Sequence, residues 1–213
     1  MIDIVFPNNN EKKFIEIAEK LDIKELCFIY KDKIKEIKSD NVKIYYGILT
    51  TPKNAIKYKV DLILIKGSEK GRSAIDTKIV DIVYELEDST RSDHTHYRLS
   101  GLNHIMAKLA KTNKVNVGFS FSSLLNSKDK AVTFGRLRQN IRLMRKFKFN
   151  GIIASFAQEP YEMRSESDLK SLFISIGMHA KEAKDCLSNV KNKIKENLKK
   201  RAPGYVREGF TVE

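Results

Sequence analysis

Asp61-Leu62-Ile63-Leu64-Ile65-Lys66-Gly67 holds four consecutive aliphatic residues between an aspartate and a Lys-Gly pair. A strand with one wet face alternates polar and apolar side chains. An unbroken aliphatic run this short reads as a strand covered on both faces, the habit of parallel sheets. Comparable runs, several of them β-branched, recur at 2–6, 26–30, 42–48, 79–86, 115–119 and 151–154. Between many of them, helical patterns lie at 10–21, 101–112, 130–147, 168–176 and 180–200, the first led by the cap candidates Asn8, Asn9 and Asn10. Strand–helix alternation argues for an α/β fold with a parallel sheet. About seven strands and no Gly/Pro/Ser-rich linker point to one TIM-barrel-like (β/α) barrel over 1–198, closed or nearly so, followed by a basic tail at 199–213. An open doubly wound sheet is the alternative.

In such a barrel the loops after the strands build the ligand site. Here they are 7–10, 50–53, 66–72, 87–100, 120–127 and 155–164, and they hold Lys53, Lys66, Arg72, Arg91, Arg98 and Arg164. The chain has 213 residues and a formal net charge of +13, which favours an anionic partner. Hydrophobic residues make up 41%, enough for a packed core. No apolar run is long enough to span a membrane. Two cysteines, Cys27 and Cys186, make no disulfide framework, and Met1–Phe6 reads as a strand rather than a signal peptide, so a reducing cytoplasm is the expected location.

The segment Arg136-Leu-Arg-Gln-Asn-Ile-Arg-Leu-Met-Arg-Lys-Phe-Lys148 reads as a helix with two faces. Leu137, Ile141 and Met144 form one buried stripe. Arg138, Arg142 and Arg145 follow the same spacing, turned by roughly 100°. Guanidinium groups are permanently charged forks that match pairs of phosphate oxygens, so this row suits a polyanion. A solvated basic face explains it equally well at this stage.

Catalytic signals are sparse. Asp93-His94-Thr95-His96 offers metal-ligand types, and a metal-dependent phosphoesterase using Asp93, His94 and His96 is the enzyme alternative. The cluster sits in a polar loop with no fixed second shell, which favours plain solvation. His104 reads as a core or capping residue, and His179 as the start of the last helix. Lys66–Arg72 is a glycine-containing basic loop that reads as a turn or, less readily, a phosphate cradle. Glu162 and Arg164 read as a structural pair, and Asp168 as an N-cap. There is no Gly-x-Ser-x-Gly elbow and no Walker loop.

An ordered series of motifs resembles the ribonuclease P protein component 3 family. Ser100-Gly-Leu-Asn-His-Ile-Met-Ala-Lys-Leu-Ala110 is similar to the family's S-G-x-x-H-x-x-A-K-L-A signature. Arg138–Phe147 is similar to its R-x-N-x-R-x-x-R-K-Y/F helix, and Tyr161-Glu-Met-Arg-Ser165 to its W/Y-E-L-R-S/T loop. Val117–Ser120, Ile176-Gly-Met178, Tyr205–Gly209, Asp61–Gly67 and Asp81-Ile-Val83 also fit, so the likeness spans nearly the whole chain.

The resemblance implies a barrel related to the polymerase-and-histidinol-phosphatase fold. It implies a protein subunit of ribonuclease P that supports the catalytic RNA in removing the 5′ leader of precursor tRNA. The RNA subunit would hold the active centre and its Mg2+, with no cofactor bound by this chain. Partners implied are the ribonuclease P RNA, precursor tRNA through the holoenzyme, protein component 2 in a heterotetramer, and the other protein subunits. RNA contacts would come from Arg98, Lys108, Arg138, Arg142, Arg145, Arg164 and Arg207. The related metallophosphoesterases place a His-x-His after the first strand, where this chain reads Phe6-Pro7-Asn8. Catalysis by the isolated chain is therefore not expected.

Overall fold

The computed structural model describes residues 1–88, 92–202, 205–207 and 210–211, the last two stretches by their backbone. Seven parallel strands follow one another around the sheet in chain order: β1 (Ile2–Val5), β2 (Glu25–Tyr30), β3 (Lys43–Leu49), β4 (Leu62–Lys66), β5 (Ile82–Tyr84), β6 (Asn116–Ser120) and β7 (Gly151–Ala154). The ends of the sheet meet. Val5 bridges Ala157 in parallel, and Phe6 N–H donates to Ala157 C=O at 2.8 Å. This is the nearly closed barrel that the strand runs imply, not the open sheet.

The unbroken aliphatic runs now have their reason. Alternate residues of one strand serve two cores. Ile2, Ile4, Cys27, Ile29, Leu62, Leu64, Ile82 and Ile152 fill the barrel interior. Leu26 and Phe28 pack outward with Phe14 and Ala18 of α1 (Glu11–Lys20). Ile63, Ile65, Val83, Val117 and Ile153 pack outward with the other helices. These are α2 (Gly67–Asp76), α3 (His104–Thr112), α4 (Phe121–Leu125), α5 (Lys130–Phe147), α6 (Glu166–Ile176) and α7 (Ala180–Arg201).

Four sequence readings change. Residues 66–72 are neither a turn nor a cradle but the start of α2, kinked at Lys70. Gly67 and Gly71 are there because a Cβ on either would lie 2.6 Å from Leu86 Cδ2. The strand expected at 79–86 is pared to Ile82–Tyr84. Asp168 is not the N-cap of α6; Ser165 is, its Oγ accepting from Asp168 N–H and donating to the Asp168 carboxylate. The last helix runs to Arg201, across the 198/199 boundary.

Helix α7 lies across the N-terminal end of the barrel. Asn189 donates to Gly151 C=O, Lys191 pairs with Glu25 at 2.6 Å, and Lys193 pairs with Asp81 at 3.4 Å. Asn197 donates to Asp61 C=O, and Arg201 pairs with the Asp61 carboxylate. Each partner begins a strand or immediately precedes one, while Val190 and Ile194 of the same helix join the interior core.

The seam between β1 and β7 is held by a buried side chain. Asp3 Oδ1 accepts from Ser155 N–H at 2.7 Å, and Asp3 Oδ2 accepts from Ser155 Oγ–H at 2.6 Å. Burial pushes the Asp3 carboxyl up from 3.8 to about 6, against the lowering effect of the Ser155 and Ile4 hydrogen bonds. The folded chain therefore keeps a proton there that the unfolded chain has lost. Stability contributed at this site is complete below about pH 4 and falls as pH rises to about 6. Asp3→Asn keeps the oxygen that accepts from Ser155 N–H, turns an NH2 donor toward Ser155 Oγ in place of the other, and removes the titration. Denaturant unfolding from pH 4 to 7 is expected to show the variant gaining on wild type with pH, by on the order of 3 kcal/mol at most. A difference that stays constant across this range would contradict the assignment.

Candidate nucleic-acid interface

Helix α5 is capped by Asp129, whose carboxylate accepts from Val132 N–H at 3.0 Å. It buries Leu137, Ile141 and Met144, as their spacing requires. The same buried arc also takes Thr133, Arg136 and Asn140. Arg138 and Arg142, one turn apart, are exposed and have no hydrogen bond or ion pair among the described residues.

Arg145 is different. Its Nε and Nη2 donate to Glu182 Oε1 and Oε2 at 2.7 and 2.6 Å, and Nη2 also reaches Gly177 C=O. The Arg145 hydrogen bond is the main reason the Glu182 carboxyl sits below its ordinary range. Glu182 also accepts from His179 N–H, at the N-cap of α7 where sequence places His179. Arg145 thus ties α5 to the start of α7.

The loop before α3 leans on α5. Gln139 donates to Arg98 C=O and Ser100 Oγ, and Asn140 donates to Ser100 C=O. The Arg98 guanidinium lies against Gly135, where a Cβ would stand 2.4 Å from Arg98 Cζ. Arg98 also reaches Asp93 at 3.3 Å. Lys108 is exposed on α3, which packs beside α5, and has no ion pair among the described residues. Arg98, Lys108, Arg138 and Arg142 thus come from neighbouring elements.

Arg164 stands on a separate loop. It donates to Tyr161 and Met163 C=O, with its guanidinium 4.8 Å from the Phe121 ring centre. It does not pair with Glu162. The Glu162 carboxylate accepts instead from Ser122, Asn126 and Gln158 N–H, a purely structural set. Arg207 falls in the strand 205–207, and its side chain lies outside the described residues, as does Arg91.

Asp93 is an arginine clasp rather than a metal ligand. Its Oδ1 accepts from Arg136 Nε at 2.8 Å and from Leu99 N–H at 2.9 Å. Burial works to raise its pKa, but the Leu99 and Arg136 hydrogen bonds outweigh it and the carboxyl stays below its ordinary range. Arg136 is 5% exposed and also donates to Glu87 C=O. The imidazoles of His94 and His96 are exposed, and His94 stacks on Tyr97 with ring centres 4.4 Å apart. His104 is neither core nor cap: it is the exposed first residue of α3, and Asn103 caps by accepting from Met106 N–H. Arg136 was missed because arginine reads as surface. Thr133, Arg136 and Asn140, flanking the apolar stripe at helical spacing, were the available signal.

At the opposite end from α7, the strands' C-terminal ends surround a cavity of about 800 Å3. Its floor is a stack of rings, Phe6 on Tyr84 at 5.5 Å and Tyr84 on Phe156 at 5.0 Å. Buried Glu85 is neutralised by Lys66 at 2.9 Å, and Glu11 is reached by Lys35 at 3.4 Å. No group of three metal-ligating side chains stands close enough to hold an ion among the described residues. The phosphoesterase metal chemistry that the fold hosts elsewhere does not fit these side chains.

The chain is thus a one-sheet (β/α)-barrel protein with a cavity at its mouth and an exposed arginine pair, Arg138 and Arg142, on an outer helix. The family model described as RNase P subunit p30 matches residues 7–202, and the chain belongs to that family. The ribonuclease P protein component 3 of Methanosarcina mazei is 29% identical over 183 residues, covering 83% of this chain and 70% of that protein. Its counterpart from Methanothermobacter thermautotrophicus is 28% identical over 148 residues, or 68% of this chain and 58% of that protein. The matched stretches thus leave roughly a third or more of these relatives' lengths uncovered. Among solved structures, a chain of an archaeal ribonuclease P with mature tRNA superposes with a TM-score of 0.82 at 22% identity, over 100% of this chain and 97% of that one. The histidinol phosphate phosphatase of Lactococcus lactis superposes at 0.55 with 8% identity, over 84% of this chain and 94% of that one. Both share the fold.

If Arg136 clasps the 92–100 loop, Arg136→Met will remove a buried donor and leave Asp93 without its main partner. The expected cost is about 2–4 kcal/mol by chemical denaturation, with faster hydrogen exchange at the Leu99 amide. Arg138→Ala, on the solvent side, is expected to stay within about 0.5 kcal/mol of wild type. Equal costs for the two variants would refute the distinction.

Proposed function

We propose that this chain is a non-catalytic protein subunit of ribonuclease P. It supplies positive charge to the catalytic RNA, which removes the 5′ leader of precursor tRNA by phosphodiester hydrolysis. The observation that carries this reading is the exposed pair Arg138 and Arg142, without a carboxylate partner among the described residues, on a helix whose sequence resembles a family motif. Folded RNA crowds phosphates together, and fixed guanidinium groups at such points replace part of the Mg2+ the RNA needs. The magnesium of the reaction belongs to the RNA in this reading, and the chain binds no cofactor of its own.

Family membership supports the assignment, as does the fold shared with a chain of an archaeal ribonuclease P. Pairing with protein component 2 in a heterotetramer, contact with the other subunits and a cytoplasmic location belong to the same proposal. No helix among the described residues is long and apolar enough to cross a membrane. Arg98, Lys108, Arg164 and Arg207 are secondary candidates for RNA contact. Arg145 serves the α5–α7 junction first, and its guanidinium has only its exposed edge to offer RNA.

Reconstituted precursor-tRNA cleavage separates these roles. The double variant Arg138→Ala/Arg142→Ala is expected to raise the Mg2+ needed for half-maximal cleavage and to flatten the salt dependence of RNA binding by roughly one unit of slope per arginine, with an unchanged thermal midpoint. Arg145→Ala is expected instead to lower the melting midpoint. Unchanged Mg2+ and salt dependence in the double variant would remove the proposed contact. Leader cleavage by the isolated, RNA-free chain would overturn the non-catalytic reading.

A further inference from the structure

The cavity at the barrel mouth has features that the arginine helix does not use. Its volume of about 800 Å3 lies in the range of small-molecule sites. Phe6 is partly exposed there, on top of the Tyr84–Phe156 stack, and so presents a supported aromatic surface. Asn8, Asn9 and Gln158 line the walls, and their exposed side-chain amides have no hydrogen-bond partner among the described residues. On the rim, Lys31 and Lys33 are exposed and form no ion pair among the described residues.

The backbone marks the same place. Six non-glycine residues have left-handed φ among the described residues. Asp22, Lys114 and Lys148 terminate helices, where that conformation is ordinary. Of the other three, Asn9 (φ 58°) and Glu85 (φ 54°) line the mouth, and buried Phe156 (φ 50°) lies beneath it, stacked on Tyr84. A phenylalanine and a glutamate pay sterically for that conformation, and such residues cluster where a ligand is held.

We propose that the mouth of this barrel is a binding pocket for one ribonucleotide unit. The base lies on Phe6, its edge meets the amides of Asn8, Asn9 and Gln158, and its phosphate meets Lys31 and Lys33. Amides supply both donors and acceptors, which suits a base edge. An aromatic face accepts any base, and unpaired lysines take the phosphate. Buried Glu11 already accepts from Tyr30 Oη–H and from Lys35, and so supports the wall rather than meeting the ligand. Inorganic phosphate alone would leave the aromatic floor and the amides unused. A base whose edge is taken by the amides has no edge left for a pairing partner, so a nucleotide from RNA must be unpaired. A free mononucleotide has the same chemistry.

Equilibrium dialysis of the full chain against AMP, GMP, CMP, UMP, adenosine and inorganic phosphate tests the pocket. Saturable binding of at least one mononucleotide is expected if the source is free nucleotide. A short single-stranded RNA, measured on an Arg138→Ala/Arg142→Ala background to remove the α5 contribution, tests the other source. Phe6→Leu is expected to weaken whichever probe binds by about tenfold. Lys31→Ala/Lys33→Ala, on a surface loop away from the core, is expected to weaken the phosphorylated probes while leaving adenosine unchanged. The proposal falls if neither probe class binds, if binding ignores both sets of variants, or if inorganic phosphate displaces AMP as well as AMP displaces itself. None of these outcomes depends on ribonuclease P activity.

Discussion

Closure of the barrel depends on one carboxylate. β1 and β7 do not form a full ladder; they meet through a single bridge at Val5 and Ala157 and through Asp3, which accepts from both the amide and the hydroxyl of Ser155. An apolar residue at position 3 would leave the Ser155 amide and hydroxyl unpaired inside the protein. A carboxylate meets both, but burial makes its charged form costly, which is why its affinity for a proton is raised. The remaining architecture follows from that join. With β1 held beside β7, the interior set of alternating residues is enclosed, and the outer set must be covered by helices.

Much of this was legible because both periods leave a trace in the sequence. The limits of α5 match the reading at 130–147, and β7 matches at 151–154. The failures also have physical reasons. Gly67 and Gly71 look like loop residues, yet they are helical because the Leu86 side chain occupies the space their Cβ atoms would need. Helix α4 is five residues long, too short to show a period. At the interface, exposure of Arg138 and Arg142 could be read from the rotation of their row against Leu137, Ile141 and Met144. The engagement of Arg145 could not, since Glu182 lies 37 positions away. The same holds for Asp93. Its partner Arg136 is 43 positions further on, so the sequence offered solvation or, less readily, metal ligation beside two histidines where the structure shows ion pairing.

The chain shares its fold with a histidinol phosphate phosphatase. The end of a barrel where strands deliver side chains is the natural position for chemistry. Here the strand ends bring rings, exposed amides and carboxylates paired with lysines. Lys31, Lys33, Lys35 and Lys66 stand at the mouth, while Lys108 on α3 and Arg138 and Arg142 on α5 are exposed on the outside of the barrel. In the proposed reading it is this outer set that holds a polyanion.

Helix α7 has a consequence for how the molecule is made. It is the last of the helices, and it stoppers the barrel by contacting the beginnings of strands laid down as early as Glu25. During synthesis all seven barrel strands leave the ribosome before the stopper does. The nascent barrel must wait with its base open and its Val190 and Ile194 positions unfilled until α7 emerges. Stability therefore arrives late and all at once, and a ribosome that stalls before the last helix leaves an unsealed vessel for chaperones and proteases to find.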